Sequence, residues 1–366
     1  MLVRDFVAII QKLAPADLAL DWDNSGLQLG SLNAPVAKIG LALDAVGQTV
    51  TAALEAGCDL LLTHHPLFFK PLKNIDLDAP GGGLINRALR GGLSIFAAHT
   101  NWDAANLGVA HALADLLELT ERRPLEPSPR DFLKLAVFVP KGYEPQIRRA
   151  LFDAGAGAIG GYGRCYFQTS GEGGFKAPPE ALPFLGQAGR ETRAGESRLE
   201  VIVPRRLADQ AALAVLKHHP YEEPAFEFYP VKVYGPGQGL GLVGAWKPAR
   251  DFLSQCREKL PAGGLKWAGP EPGLVERVAL LPGSGGGYAG LARGLGAQAL
   301  ITGDVSYHQA LEAAELGLTV ADLGHFETEW PGLARLEKLL TAELARLGQK
   351  TPCLLLPQTR PWHYGF

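Results

Sequence analysis

The chain has 366 residues, of which 47% are hydrophobic and 20% charged, and its formal net charge is −3. This composition is typical of a globular protein, and the length predicts two or three domains. The absence of a long basic run argues against nucleic-acid binding, and no apolar run approaches the roughly 20 residues of a membrane helix, so we expect a cytoplasmic protein.

The first third of the chain predicts alternating strands and helices. The N-terminal 15 residues form an amphipathic pattern rather than a signal sequence, and a turn-rich segment, 21–30, follows. Buried apolar runs predict strands at 38–45, 59–63 and 94–99. Amphipathic patterns predict helices between them at 47–57 and 84–92. This β-α-β-α-β order is typical of a parallel sheet with helices on both faces.

The last third repeats the same pattern. Strands are predicted at 277–283, 297–303, 318–324 and 352–357. Helices are predicted within 285–296 and at 307–317 and 331–348. We expect the last helix to begin at Pro331, because proline suits the first turn of a helix, and to end on Gly348. The two ends of the chain are therefore predicted to form related halves of one α/β domain.

The middle of the chain follows a different order, βαββαβ, which is the ferredoxin-like arrangement. Its strands are predicted at 132–140, 161–171, 197–204 and 225–233. Its helices are predicted at 144–155 and 206–219. Proline- and glycine-rich segments border it, as is usual at domain boundaries. We therefore predict an α/β domain made of residues 1–127 and 236–366, interrupted by an α+β insert at 128–235.

Residues that commonly bind metals follow the predicted strands of the α/β domain. Ligands of parallel α/β sheets bind beyond the carboxyl ends of the strands. A single histidine there is more often a hydrogen-bonded structural residue than a ligand. Here several such residues recur together, which favours a metal site: Asp44, His64, His65, His99, Asp103, Asp304, His308, His325 and Glu329.

The adjacent pair His64 and His65 indicates two metal ions rather than one. Pro66 favours extended backbone at His65, in which successive side chains point in opposite directions. Such a pair reaches two ions about 3.5–4 Å apart more easily than one. Asp103 and Glu329 are the candidate anionic bridges. His325 would complete the ligands, while His99, Asp304 and His308 would orient them. Imidazole and carboxylate ligands suit divalent Zn, Mn, Fe, Co or Ni.

Five segments at the two ends of the chain resemble the signature blocks of the NIF-three-like dinuclear-metal proteins, named GTP cyclohydrolase 1 type 2 homologs. These are 21-DWDNSGLQLG-30, 63-THHPLFF-69, 99-HTNWD-103, 303-GDVSYHQALEA-313 and 322-DLGHFETE-329. The insert resembles the CutA/PII-like domain of the family's long bacterial members. The segments that carry this second resemblance are 132-FLKLAVFVP-140, 150-ALFDAGAGAIGGYG-163 and 219-HPYEEPAF-226.

The resemblance implies a ligand set and an assembly. The metal ligands would be His64, His65, Asp103, His325 and Glu329. The protein would form a homohexameric toroid, with the metal sites facing an internal cavity.

The predicted activity is that of a metal-dependent hydrolase. A metal-bridging hydroxide would attack a small nucleotide-like substrate such as GTP, with His99 or His308 as proton donor. Two alternatives remain. The chain could form a non-enzymatic ring that handles metals or regulates a partner through a ligand-sensing PII-like insert, or the ions could be purely structural.

Three further motifs carry weaker signals. A second histidine pair, His218 and His219, lies beside Glu222 and Glu223; a structural turn is favoured over a surface metal site. The glycine-rich run 283–287 is either a tight turn or a backbone cradle for a phosphate. Asp23 and Asn24 either stabilise a turn or line the site.

Overall fold

The structure is a computed structural model, and it describes residues 1–249, 251–260 and 264–362, without the side chains of residues 236, 248 and 249. It divides into two compact units: residues 1–128 with 236–366 form the first, and residues 129–235 form the second. Among the described helices, none combines the length and the apolar character needed to cross a membrane.

The described elements alternate in type along most of the chain. The helices are α1 (Val3–Leu13), α2 (Gly47–Glu55), α3 (Pro80–Arg90), α4 (Thr100–Asp103), α5 (Val109–Leu116), α6 (Glu144–Asp153), α7 (Ala208–His218), α8 (Phe252–Lys259), α9 (Ala289–Gly294), α10 (Tyr307–Glu315) and α11 (His325–Arg346). The strands are β1 (Gly26–Leu29), β2 (Ile39–Ala42), β3 (Leu60–Thr63), β4 (Ser94–Ala97), β5 (Thr120–Pro140), β6 (Tyr166–Lys176), β7 (Glu191–Pro204), β8 (Phe226–Ala249), β9 (Lys266–Ala268), β10 (Val275–Ser284), β11 (Ala299–Gly303), β12 (Thr319–Asp322) and β13 (Cys353–Leu355).

The first unit contains a five-stranded sheet in the order β1-β4-β3-β2-β13. Its central strands β2, β3 and β4 are buried at every position and pair in parallel. Because side chains alternate between the faces of a strand, Leu60 and Leu62 pack in the cluster that contains α1 and α11 residues. Leu61 packs on the other face with residues of α2 and α3. Helices therefore cover both faces of this sheet.

The same unit contains a second group of paired strands. β10, β11 and β12 pair in parallel, and β8 and β9 pair with them in antiparallel orientation on either side. In β11, Leu300 packs in a cluster with residues of α9 and α10. Its neighbour Ile301 packs in a cluster with residues of α5 and α8. This layer is therefore also covered on both faces.

The second unit has the order βαββαβ, formed by β5, α6, β6, β7, α7 and β8. Its strands lie in the order β6-β7-β5-β8, and β7 pairs in antiparallel orientation with both β5 and β6. Side chains of β5 and β7 share one apolar cluster with α6 and α7. The predicted fold class, a discontinuous α/β domain with a ferredoxin-like insert, is confirmed.

The start of the last helix differs from the prediction. Helix α11 begins at His325, so Pro331 lies inside it rather than in its first turn. A proline inside a helix removes one backbone hydrogen bond, and the sequence rule therefore favoured the later start. Here Thr328 and Glu329 are buried, and tertiary packing of this kind outweighs local preference. Because the helix begins at His325, both His325 and Glu329 belong to it, and their spacing of four residues places them on the same face.

Two strand predictions and one turn prediction also need correction. The segment predicted at 352–357 forms β13, which pairs with β2 of the first sheet and not with the strands of the second half. The turn-rich segment 21–30 contains β1, which pairs in antiparallel orientation with β4. The strand predicted at 161–171 begins later, as β6 at Tyr166. Short edge strands carry little periodicity, so their partners could not be assigned locally.

Candidate metal centre

Histidines and carboxylates from both ends of the chain converge in the first unit. His64 and His65 directly follow β3, and His99 lies between β4 and α4. His325 and Glu329 come from the first turns of α11. Residues that are more than 200 positions apart in the sequence, such as His65 and His325, therefore lie in contact, as the rule for the ends of parallel strands predicted.

The Glu329 carboxylate lies at the centre of this group and is only 4% exposed. Its Oε1 lies 3.1 Å from His325 Nε2 and 3.6 Å from His64 Nε2. Its Oε2 lies 3.1 Å from His65 Nε2. The two oxygens of one carboxylate thus face different imidazoles, which is the arrangement that a bridging ligand needs.

Two of the imidazoles face each other directly. The Nε2 atoms of His65 and His325 are 3.1 Å apart, and with Glu329 they form a group whose ligand-type atoms all lie within 4.8 Å of one another. A second such group combines His64, His65 and His99. On the same side, Asp103 Oδ1 lies 3.5 Å from His64 Nε2.

The His64–His65 pair adopts a different geometry from the one expected. The chain bends at these two residues beyond β3, and their rings lie 5.0 Å apart with an interplanar angle of 55°. Both imidazoles therefore turn toward the same cluster instead of pointing to opposite faces. The premise that they must diverge was wrong.

Each of the four histidines is oriented through its Nδ1 atom. His65 Nδ1 lies 2.8 Å from Asp44 Oδ1, and His325 Nδ1 lies 2.7 Å from Asp304 Oδ2. His99 Nδ1 lies 2.8 Å from Asp23 Oδ1, and His64 Nδ1 lies 3.0 Å from the Ala98 carbonyl oxygen. In a neutral imidazole, an acceptor at Nδ1 places the proton there and leaves a lone pair on Nε2 that can bind a metal ion. Ligating histidines in metalloproteins have the same type of support.

The protonation of the metal-free chain shows how strongly these groups interact. Burial opposes the charge on His65, but Glu329 and Asp44 outweigh it and raise the pKa of His65 to about 10. By the same balance, Glu329 and Asp304 raise the pKa of His325 to about 9. Burial and the nearby Glu329 raise the pKa of Asp103. In the metal-free chain, protonated His65 and His325 therefore supply the positive charge that stabilises the neighbouring carboxylates.

The polar atoms at the centre fit bound cations. His64 Nε2 and Glu329 Oε2 are buried, and neither makes a hydrogen bond of acceptable geometry within the described part of the chain. A buried polar atom without a hydrogen bond reduces the stability of the folded state by roughly 1–3 kcal/mol. Divalent ions would provide both atoms with a partner, and the imidazole and carboxylate donors suit first-row metals. The site could therefore hold metal ions.

A glycine makes room for the central carboxylate. Gly283 is the second-last residue of β10, and its φ is +72°. A Cβ atom at this position would lie 2.3 Å from Glu329 Oε1. The Gly283 N–H donates to Thr328 Oγ1 at 3.0 Å, and the N–H of Gly285 donates to Thr302 Oγ1 at 2.7 Å. Two backbone donors of the run 283–287 are therefore engaged within the protein, which favours a structural turn over a phosphate cradle.

The structure brings together five of the predicted ligands and one of the two predicted catalytic residues. The convergent residues are His64, His65, Asp103, His325, Glu329 and His99. His308 differs: it is exposed on α10, its ring contacts that of Tyr307, and within the described ranges it has no hydrogen bond or ion pair to the cluster.

The second histidine pair is engaged in local structure. His218 Nδ1 lies 2.9 Å from the Ala214 carbonyl oxygen. His219 Nε2 lies 2.9 Å from the Phe138 carbonyl oxygen, and its Nδ1 accepts the Tyr221 N–H at 3.1 Å. With both ring nitrogens of His219 satisfied, this pair is a turn at the end of α7.

Of the three aspartates that hold the histidines, sequence reasoning assigned an orienting role to Asp304 and not to Asp23 or Asp44. Asp23, whose role was left open, accepts hydrogen bonds from Thr100 and Ser25 as well as contacting His99. Asp44 was noted only as a strand-end residue. Gln358, which hydrogen-bonds to Asp44 from 314 positions away, carries no local signal. The signals available were the strand-end position of Asp44 and the place of Asp23 in the turn-rich segment 21–30.

Comparisons with known proteins identify the family and agree with the fold. The model of the Duf34/NIF3 (NGG1p interacting factor 3) family matches residues 1–361. A Bacillus subtilis (strain 168) protein named GTP cyclohydrolase 1 type 2 homolog is 39% identical over 327 residues, which cover 88% of each chain. A Mycobacterium bovis protein of the same name is 34% identical and covers 99% of this chain and 96% of its own.

A solved structure gives the same result. The crystal structure of a Bacillus cereus protein related to NIF3 is 33% identical and has a TM-score of 0.82, covering 100% of this chain and 99% of its own. The resemblance predicted from the sequence is thereby confirmed: the chain belongs to the Duf34/NIF3 family.

Proposed function

We propose that this chain is a dinuclear metal-dependent hydrolase that acts on a small nucleotide-like substrate. The observation that carries the proposal is the convergence of three imidazole Nε2 atoms, from His64, His65 and His325, on a buried carboxylate whose two oxygens face different histidines. Structural zinc sites are usually closed by four protein ligands to one ion. Here the donors suit two ions with open positions, which favours catalysis over a structural role.

The proposed ligands are His64, His65, Asp103, His325 and Glu329. Glu329 and Asp103 are the candidate bridges, because both carboxylates lie near His64 Nε2 and Glu329 also faces His65 and His325. When bound, such ions supply Lewis-acid polarisation of a substrate oxygen and lower the pKa of water toward about 7. Zn, Mn, Fe, Co and Ni are all compatible with these donors.

His99 is the proposed proton donor or additional ligand. Asp23 fixes its Nδ1, so its Nε2 faces the cluster, and its ring centroid lies 5.3 Å from that of His64 and 5.6 Å from that of His65. When the His99 ring carries protons on both nitrogens, the proton at Nε2 could pass to a leaving group beside the ions. The proposal does not use His308, because it lies exposed on α10.

The name of the relatives makes GTP the first substrate to test. We would load the purified chain separately with each candidate metal, count the ions by inductively coupled plasma mass spectrometry, and measure turnover of GTP and a panel of phosphoesters. His65→Ala removes one ligand, and His218→Ala is the matched control in the second histidine pair. We expect His65→Ala alone to lose an ion and activity. Equal turnover by the parent with two ions and by His65→Ala would reject hydrolysis of those substrates.

The alternative is a non-enzymatic assembly that handles metals. The exposure of His325, at 31% of its side chain, gives one edge of the cluster an open route for ion exchange. Rapid release of the ions to a chelator, without turnover of any substrate, would favour this alternative. Slow release accompanied by turnover would favour the hydrolase.

The proposed assembly is a homohexameric ring, as the family resemblance implies. Native mass spectrometry or analytical ultracentrifugation would give a mass six times that of the chain. A monomer at micromolar concentration would contradict the ring and, with it, the internal cavity that the metal sites are proposed to face.

A further inference from the structure

The C-terminal segment 356–362 is fixed beside the metal-ligand cluster. It follows β13, and the Leu356 N–H donates to the Leu41 carbonyl oxygen at 2.8 Å. Gln358 Oε1 accepts the Leu43 N–H at 2.8 Å, and its amide donates to Asp44, which in turn holds His65. The sheet edge that positions His65 therefore also positions this segment.

A neighbouring contact extends the attachment toward the end of the segment. The Thr359 N–H donates to Gln48 Oε1 at 3.2 Å, and Gln48 Nε2 donates to Thr359 Oγ1 at 3.0 Å. This reciprocal pair lies immediately before Arg360. The position of Arg360 is thus set by a continuous series of hydrogen bonds and not by its own side chain alone.

A cavity of about 210 Å³ lies between this segment and the cluster. Its lining includes His65, Asp304 and His325 on the side of the chain that carries the cluster, and Arg360 and Trp362 of the segment. Drug-sized ligands occupy pockets of roughly 300–1,000 Å³. This cavity is smaller, so it suits one compact group of a substrate, while the rest of the substrate would extend past Trp362, which is 69% exposed.

The Arg360 guanidinium has capacity to bind such a group. Its Nε lies 3.3 Å from Oε1 of the buried Glu327. A guanidinium carries five N–H donors in a fixed fork, and in the described ranges its terminal nitrogens donate no hydrogen bond. With 46% of the side chain exposed, these donors can reach a ligand in the cavity. A bidentate contact of this type is well suited to phosphate.

The charges around the cavity make anion binding depend on the ions. Asp44, Asp304 and Glu327 contribute three carboxylates to the lining, and Arg360 contributes one permanent positive charge. Without ions these carboxylates weaken the attraction of an anion to the cavity. Two divalent cations beside His65 and His325 would reverse the sign of the local charge.

We propose that Arg360 is the residue that binds a phosphate group of the substrate, next to the metal ions. This inference rests on the proposed function, because it assigns the substrate class of the same site, a phosphate-bearing small molecule. The competing explanation is that Arg360 only neutralises Glu327. The two differ in what happens to a phosphate when Arg360 is replaced.

The test is binding of inorganic phosphate to the chain loaded with Mn²⁺, measured by isothermal titration calorimetry. We expect Arg360→Gln to weaken binding about tenfold or more, the gain from a charged hydrogen bond, and Arg360→Lys to retain part of the affinity. The control is Arg346→Gln, whose side chain pairs with Glu343 on α11 away from the cavity. The metal-free parent should bind phosphate more weakly than the Mn²⁺-loaded parent.

Unchanged phosphate affinity in Arg360→Gln would overturn the proposal. If that variant is unstable because Glu327 loses its partner, the double variant Glu327→Gln/Arg360→Gln removes both charges, and it should fold and still bind phosphate weakly. Tight binding by the double variant would likewise overturn the proposal. Phosphate binding needs no turnover, so this result is independent of whether the hydrolase assays succeed.

Discussion

Gly283→Ala should disturb the metal site through a single methyl group. Gly283 has φ +72°, and the added Cβ would lie 2.3 Å from Glu329 Oε1 and 3.4 Å from His325 Nε2. Real Cβ atoms do not approach an oxygen so closely, so the Glu329 carboxylate must move. Because Glu329 is buried, it cannot move into solvent and must leave its place among the imidazoles.

Gly348 provides a matched control for the backbone. Its φ is +71°, and a Cβ atom there would meet nothing within 4 Å. Alanine in the left-handed region costs about 1–2 kcal/mol in either variant. Only Gly283→Ala should also lose metal affinity, by about 10–100-fold, as when a residue that orients a ligand is replaced.

Two measurements separate these effects. Urea unfolding in the presence of a chelator gives the backbone cost in each variant, and calorimetric titration with Mn²⁺ gives the affinity and the number of ions. We expect both variants to be destabilised by the backbone cost, Gly283→Ala by more because the buried Glu329 must also move. Only Gly283→Ala should bind metal more weakly. If Gly283→Ala binds two ions as tightly as Gly348→Ala does, the placement of Glu329 as the central ligand is wrong.

Three further predictions concern the cluster. Asp44→Ala removes the acceptor at His65 Nδ1 and should weaken metal binding about 10–100-fold in a calorimetric titration. His308→Ala should leave the affinity unchanged. In the metal-free chain, the pKa is raised to about 10 for His65 and to about 9 for His325. Protonation of these two residues therefore stabilises the fold fully below the unfolded pKa near 6.5, and this stabilisation is lost as the pH rises through about 9–10. Urea unfolding at several pH values measures it.

Each of these expectations has a contrary result. Parent-like affinity in Asp44→Ala would show that His65 is held without its carboxylate partner. Loss of an ion in His308→Ala would place that residue in the site. A metal-free chain that is as stable at pH 10 as at pH 6.5 would contradict the sign of the shifts at His65 and His325.

The sequence was most informative where one face or both faces of an element are buried. The run 60–63 is apolar up to its last residue and is followed by His64 and His65, so both the strand and the position of the histidines at its carboxyl end could be predicted. The same reasoning located His99, and it located His325 after β12. These predictions need only the local pattern and the rule that parallel strands end at one edge.

Long-range contacts between polar side chains could not be predicted in the same way. Gln358 reaches Asp44 only because β13 pairs with β2, and nothing in a three-residue strand specifies its partner. The start of α11 depended on buried packing around Glu329 and not on the proline rule. The bend at His64 and His65 reversed the orientation that strand alternation implied. In each case a tertiary contact decided the local geometry.

The position of α11 explains why ligand geometry and folding are coupled in this protein. The helix follows β12 of one sheet and leads into β13 of the other, and its first turns carry His325 and Glu329. Its later residues Leu336 and Leu340 pack in the same cluster as Leu60 and Leu62 of β3, the strand that presents His64 and His65. The ligands therefore meet only when the first unit has folded, so bound ions stabilise that folded unit by mass action. The second unit, residues 129–235, supplies none of the proposed ligands and gains no direct stabilisation from them.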